Sequence, residues 1–197
     1  MPNVVFITTH LFSGSNTFIN SLNVSERIDI RHPHLSYDHP EVLLQLFQLG
    51  HKLNNRAAIY GDELLFNKDF SSKAFYSFAK FIYFIHSPKD VLTEMLTNVK
   101  NISAVGACRY YCFRLRRIYE MAVKTPGAVF LTLDEFLNGK GDSLIEEYLG
   151  LVDNLNFKET SKQNVLEKNI PYNILLEAEK CYEKYFYCLK NINLLKL

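Results

Sequence analysis

The segment Lys80-Phe81-Ile82-Tyr83-Phe84-Ile85 most narrows what this chain can fold into. Large apolar side chains occupy odd and even positions alike. Successive side chains of a strand point to opposite faces, so such a run is buried only where both faces of its sheet are covered. His86-Ser87-Pro88-Lys89-Asp90 ends the run at once, and Pro88 suits the first turn of a helix predicted over 89–99. Asn3 to Thr8 (NVVFIT) has the same character. Leu11 to Asn16 then reads as a small-residue turn, and Thr17 to Leu22 as the first turns of a helix. Ala128 to Leu133 (AVFLTL) follows a Thr125-Pro126-Gly127 turn. Short helices are predicted next over 134–137 and 143–149, with Gly150 as a stop. Strands alternating with helices predict an α/β fold of three layers, α/β/α, around a central parallel sheet.

The remaining segments fit that plan. Short strands are predicted at Arg27 to Ile30 and Arg56 to Tyr60, the second leaving through Gly61-Asp62-Glu63 as a loop. Helices are predicted over 40–53, 71–77, 104–124 and 171–189, with polar loops at 25–39 and 154–169. No internal repeat and no long linker divides the chain, so residues 1–197 are expected to form a single domain.

Composition excludes several classes. A chain that is 48% hydrophobic and 14% aromatic is not a disordered one. Its 22 basic and 21 acidic residues nearly cancel, which argues against a general nucleic-acid binder. No apolar run reaches the ~18–20 residues of a membrane span. The opening Met-Pro-Asn has no basic flank of a signal peptide, so a cytoplasmic location is expected. Cys108 and Cys112, and Cys181 and Cys188, each fall on one face of a predicted helix and read as buried reduced thiols. No CxxC knuckle is present, and no metal site is expected from the cysteines.

Two loops carry chemistry. Ser13-Gly14-Ser15-Asn16-Thr17 leads from a strand into a helix, where backbone N–H groups and the helix dipole can hold an anion. It lacks the Lys of a Walker loop, and ordinary helix capping is the plainer reading. The second loop, 86–90, also leaves the carboxyl end of its strand. Ligands of α/β sheets bind beyond those ends, so both loops are expected to line one site.

The stretch Ala79 to Leu92 resembles a segment typical of sulfotransferases, in which the strand runs into an Arg-Asp/Asn-Pro-x-Asp-Val/Ala motif. Leu11 to Asn16 is similar to that family's phosphosulfate loop. Gly127 to Leu137 resembles its strand and "YEDL" segment, and Tyr148-Leu149-Gly150-Leu151 the helix end that follows. Four such pieces stand in order over residues 3–151. The resemblance implies a P-loop-like sulfotransferase fold and 3′-phosphoadenosine 5′-phosphosulfate (PAPS) as co-substrate. It implies transfer of a sulfuryl group to a hydroxyl or amine of a small-molecule or glycan acceptor. Ser13, Gly14, Ser15, Asn16 and Thr17 would then hold the 5′-phosphosulfate, and His86 and Glu94 would stand at the 3′-phosphate positions.

The chain departs from the family pattern at several of these positions. Phe12 stands where the loop cation is expected, and Leu11 where the family has Pro. His86 replaces the Arg that grips the 3′-phosphate, and Glu94 replaces a Ser, with Thr93 out of register by one. Substitute cations are sought in Lys89, His10, or the stripe Arg109, Arg114, Arg116 and Arg117, whose plainer reading is a solvated helix face. Glu63 and His10 are the candidate catalytic bases. His32, His34 and His39 with Asp38 form a polar loop group that a metal could use, though nothing fixes its geometry. Tyr110, Tyr111, Phe113, Tyr182, Tyr185, Phe186 and Tyr187 recur at helical spacing and read as core. The alternative function is a catalytically degenerate sulfotransferase-like protein that serves as a binding or interaction module. A P-loop kinase is disfavoured by the missing loop Lys.

Overall fold

The computed structural model describes residues 3–31, 59–64, 79–151 and 169–192. The predicted helices at 40–53 and 71–77 and the group His32, His34, Asp38 and His39 lie outside the described residues.

Five strands form one parallel sheet: β1 (Asn3–Thr8), β2 (Ile28–Arg31), β3 (Ile59–Leu64), β4 (Ala79–Ile85) and β5 (Val129–Thr132). Their order is β2-β3-β1-β4-β5. β1 is central, with Val5 in register with Gly61 of β3 on one side and Lys80 of β4 on the other. The helices are α1 (Ser15–Leu22), α2 (Pro88–Asn98), α3 (Ala104–Ala122), α4 (Leu133–Leu137), α5 (Asp142–Leu149) and α6 (Tyr172–Asn191).

The apolar runs are divided residue by residue between two cores. Val4, Phe6, Phe81, Tyr83, Ile85 and Phe130 pack with α2, α3 and α6. Val5, Ile7, Ile82, Phe84, Val129 and Leu131 pack with α1, α4 and α5. This two-sided burial is what the uninterrupted strands demand, and it makes the predicted three-layer α/β architecture. Rings organise the second core: Phe18 stacks on Phe84 at 5.0 Å and meets Phe136 edge-on at 5.1 Å.

Most predicted elements fall within a residue or two of the observed ones. β3 is the exception, because Gly61, Asp62 and Glu63 are strand and not loop. Glycine and two carboxylates look like turn chemistry, yet Gly61 sits where a Cβ would lie 2.4 Å from the carbonyl oxygen of Val5. The close approach of β1 and β3 requires it. Asp62 and Glu63 are buried as a result. The aromatic residues of α3 and α6 are largely core, with Tyr111 buried against the first cluster. Phe113 and Tyr187 are exposed, contrary to their predicted place. The cysteines are free thiols; Cys108 is buried and donates to the Ile174 carbonyl at 3.7 Å.

Candidate functional site

β1 has its hydrogen-bonded neighbours β3 and β4 on opposite sides, so the sheet changes direction of travel at its carboxyl end. That is where a ligand crevice forms in an open α/β sheet. The chain leaves β1 through Thr9 to Gly14 and enters α1. Phe12 has φ 58° and Gly14 φ 79°, both left-handed. A bulky residue in that region is strained, and such strain persists where surrounding contacts impose it. A Cβ at Gly14 would come within 2.8 Å of Leu133, so this position needs glycine for space as well as for conformation.

The hydroxyls tie the turn together. Thr9 Oγ1 donates to Ser13 Oγ at 2.5 Å, and the Ser15 N–H donates to the same Ser13 oxygen at 3.3 Å. The Thr17 and Phe18 N–H groups bond the Gly14 carbonyl at 3.1 and 3.4 Å. Gly14 caps α1 without a side chain, and no acidic residue lies in the first turn. The predicted group Ser13 to Thr17 is therefore a compact turn on a helix N-terminus, and Ser15, Asn16 and Thr17 belong to the helix itself.

The second loop joins the first through His10. The His86 N–H donates to His10 Nε2 at 3.0 Å, and His10 Nδ1 faces the Leu11 carbonyl at 3.0 Å. This pattern fixes a neutral ring that carries its proton on Nδ1. Burial, with smaller contributions from His86 and Arg114, pushes its pKa down to about 3. Both ring nitrogens are occupied, so His10 fastens β1 to β4, and a role as base would require breaking one of these bonds. Two tyrosines of α3 complete the junction: Tyr111 donates to the His86 carbonyl at 2.6 Å, and the Leu11 N–H donates to the Tyr110 hydroxyl at 3.2 Å.

Glu63 is different. It is only 3% exposed at the end of β3 and lies beside the Ser15 side chain. Burial raises its pKa to about 7, against the opposing pulls of Ser15 and the Arg114 guanidinium. A carboxyl near neutrality, beside the first turn of α1, has the acidity wanted of a general base at physiological pH.

Arg114 was not singled out within the predicted stripe, and the stripe itself does not exist as one solvated face. Arg114 is 1% exposed; its Nε donates to the Thr9 carbonyl at 2.6 Å and Nη2 to the Leu64 carbonyl. Arg116 and Arg117 pair with Glu120 at 2.9 and 2.8 Å. The signal available in the sequence was helical phase: Ala107, Cys108, Tyr111, Leu115, Ile118 and Ala122 are buried, and Arg114 lies within that stripe.

The predicted 3′-phosphate positions gather less. His86 is near-buried and its Nε2 meets Asp90 Oδ2 at 3.3 Å. Glu94 is half-buried on α2, with its pKa raised by burial and by Asp90. The Thr93 hydroxyl donates to the Lys89 carbonyl at 2.8 Å, as a helix-interior threonine commonly does. The "YEDL"-like segment is a capping box: Thr132 and Glu135 bond each other, and Lys190 of α6 pairs with Glu135 at 2.7 Å. No group of three His, Cys, Asp or Glu among the described residues could hold a metal ion. No described helix is long and apolar enough to cross a membrane.

No family model matches the chain, and no curated protein matches its sequence. A solved structure does: the mouse sulfotransferase SULT7A1 complexed with PAP aligns with a TM-score of 0.57 over 96% of this chain and 84% of that chain. Identity is 12%, so the likeness is one of fold. The five-stranded parallel sheet with its helices is the sulfotransferase α/β fold.

Proposed function

We propose that this chain is a sulfotransferase-like protein that binds a 3′-phosphoadenosine nucleotide and moves a sulfuryl group from PAPS to an acceptor hydroxyl or amine. The observation that carries the reading is Glu63, a carboxyl buried beside Ser15 at the anion-suited turn, with its pKa raised by burial to about 7. The fold's likeness to a sulfotransferase with bound PAP supports it.

The residues present fit the 5′ side of the nucleotide. Gly14 holds the left-handed turn against Leu133, and the positive end of the α1 dipole lies there with no carboxylate in the first turn. Ser13, Gly14, Ser15, Asn16 and Thr17 would hold the phosphosulfate. PAPS supplies the activated sulfuryl group. Glu63 would take the proton of the acceptor hydroxyl or amine, and the loop's donors would stabilise charge on the leaving phosphate. The 3′ side fits less well: His86 is engaged with Asp90, Glu94 brings negative charge, and the Thr93 hydroxyl is committed to α2. His86, if protonated, is the cation nearest the family position. The acceptor is a small molecule or a glycan.

Titration of the whole chain with PAP by calorimetry tests the reading. A Kd on the order of 10 µM or tighter, about −7 kcal/mol, is expected. Absence of binding at ~1 mM PAP overturns it in favour of a scaffold that has lost the donor site and serves as an interaction module.

A further inference from the structure

The anion turn contains no cation, since Phe12 stands at the loop position where one is expected, and a carboxyl lies beneath it. An anion approaching that turn meets Glu63 in a water-poor setting where like charges repel strongly. Four other cations among the described residues are engaged elsewhere: Arg116 and Arg117 with Glu120, Lys190 with Glu135, and Lys80 with the Tyr148 carbonyl.

Arg114 reaches this place from the opposite face of the sheet. Its guanidinium binds the carbonyl of Thr9, the residue that opens the turn, and that of Leu64, the residue after Glu63. Two short routes lead from it to the turn. One runs through Thr9, whose hydroxyl donates to Ser13 at 2.5 Å; the other runs through Glu63, which lies beside Ser15. Two backbone carbonyls ask only for N–H donors, and a neutral amide could supply those. Burying a full charge is costly unless negative charge lies near it. Glu63 is such a charge, and Arg114 draws its pKa down against the effect of burial. Arg114 itself stays protonated at neutral pH, its pKa lowered by burial only to about 10.

We propose that Arg114 is a positioning residue for the anion turn: from α3 it supplies the positive charge that the turn lacks at Phe12, offsetting Glu63 so that a nucleotide phosphate can bind. The proposal rests on the nucleotide reading above. The groups that face Glu63 are Ser15 from α1 and Arg114 and Tyr110 from α3, with Asp62 next to it on β3.

The test uses the full chain and PAP. Arg114→Gln is expected to weaken PAP binding by more than about tenfold, and Arg114→Gln combined with Glu63→Gln to recover it to within about threefold of wild type. Arg114→Lys keeps the charge and is expected to bind within about threefold of wild type, although it cannot reproduce the fork on two carbonyls. Failure of the double variant to recover binding, or a tenfold loss in Arg114→Lys, overturns the proposal in favour of a purely structural tether. A second readout does not depend on PAP: the Glu63 carboxyl, followed by ¹³C NMR, is expected to titrate about one pH unit higher in Arg114→Gln. If Arg114→Gln does not fold, the Lys variant decides by both readouts, with a Glu63 titration close to wild type expected. A wild type that binds no PAP overturns the nucleotide reading, and the Glu63 titration then decides whether Arg114 sets the charge at the turn.

Discussion

The His86 N–H donates to Nε2 of His10 at 3.0 Å, which couples the carboxyl ends of β4 and β1 through one neutral imidazole. The two loops expected to line one site are thus bonded to each other directly. The protonation state of that ring becomes a condition of the fold.

A pH dependence follows from two opposed groups. The folded-state pKa of His10 is lowered to about 3 from 6.5, so its contribution is full above 6.5 and is lost as pH falls towards 3. That of Glu63 is raised to about 7 from 4.5, so its contribution is full below 4.5 and is lost as pH rises through 7. Each contributes a slope of up to about 1.4 kcal/mol per pH unit, of opposite sign, where the windows overlap. Urea unfolding of Glu63→Gln is expected to show stability rising between pH 4.5 and 6.5 relative to wild type, and His10→Gln the reverse. Parallel pH profiles for both variants and wild type would contradict the assignments.

Glu63→Gln separates binding from chemistry. Sulfuryl transfer is expected to fall about 10²- to 10⁴-fold, the range for a lost general base. PAP binding is expected to hold or to tighten, because a buried negative charge is removed beside the turn. Retained transfer activity would move the base elsewhere.

Gly14 and Gly127 share φ 79°, but only Gly14 is crowded, by Leu133 at 2.8 Å; nothing lies within 4 Å of a Cβ at Gly127. Ala at Gly127 is expected to cost about 1 kcal/mol of backbone strain. Ala at Gly14 is expected to cost about 1–3 kcal/mol more from overpacking and to abolish PAP binding. Denaturant midpoints and calorimetry on the two variants check both, and equal losses would remove the steric argument.

Lys190→Ala releases the half-buried pair with Glu135 that holds the end of α6 to the start of α4. A cost of about 1–3 kcal/mol is expected, with faster amide exchange confined to the last turns of α6. Uniform exchange along the chain would mean that the pair is not a local fastening.

Local physics made much of this fold legible. KFIYFI and AVFLTL are apolar on both alternations, and a strand buried on two faces is the economical explanation. The turn at Ser13 to Thr17 was readable because small residues between a strand and a helix have few other uses. Gly61 to Glu63 was misread because the contact that requires glycine comes from Val5, on another strand. Arg114 was hidden for a similar reason: its partners, Thr9 and Leu64, are distant in sequence, and an arginine on an apolar stripe reads as a flaw in the pattern. His10 looked reactive as a residue type, and only its two hydrogen bonds show an occupied ring.

The grip of α3 on the turn has a consequence for biosynthesis. Thr9 and Arg114 are 105 residues apart, and Leu11 and Tyr110 are 99 apart. As the nascent chain leaves the ribosome, β1 and its turn emerge long before the residues that hold them. Contacts of such separation form late, after the loop-closure entropy has been met. The crevice therefore takes its shape only once α3 has arrived, and until then the Val4 and Phe6 face of β1 lacks part of its cover.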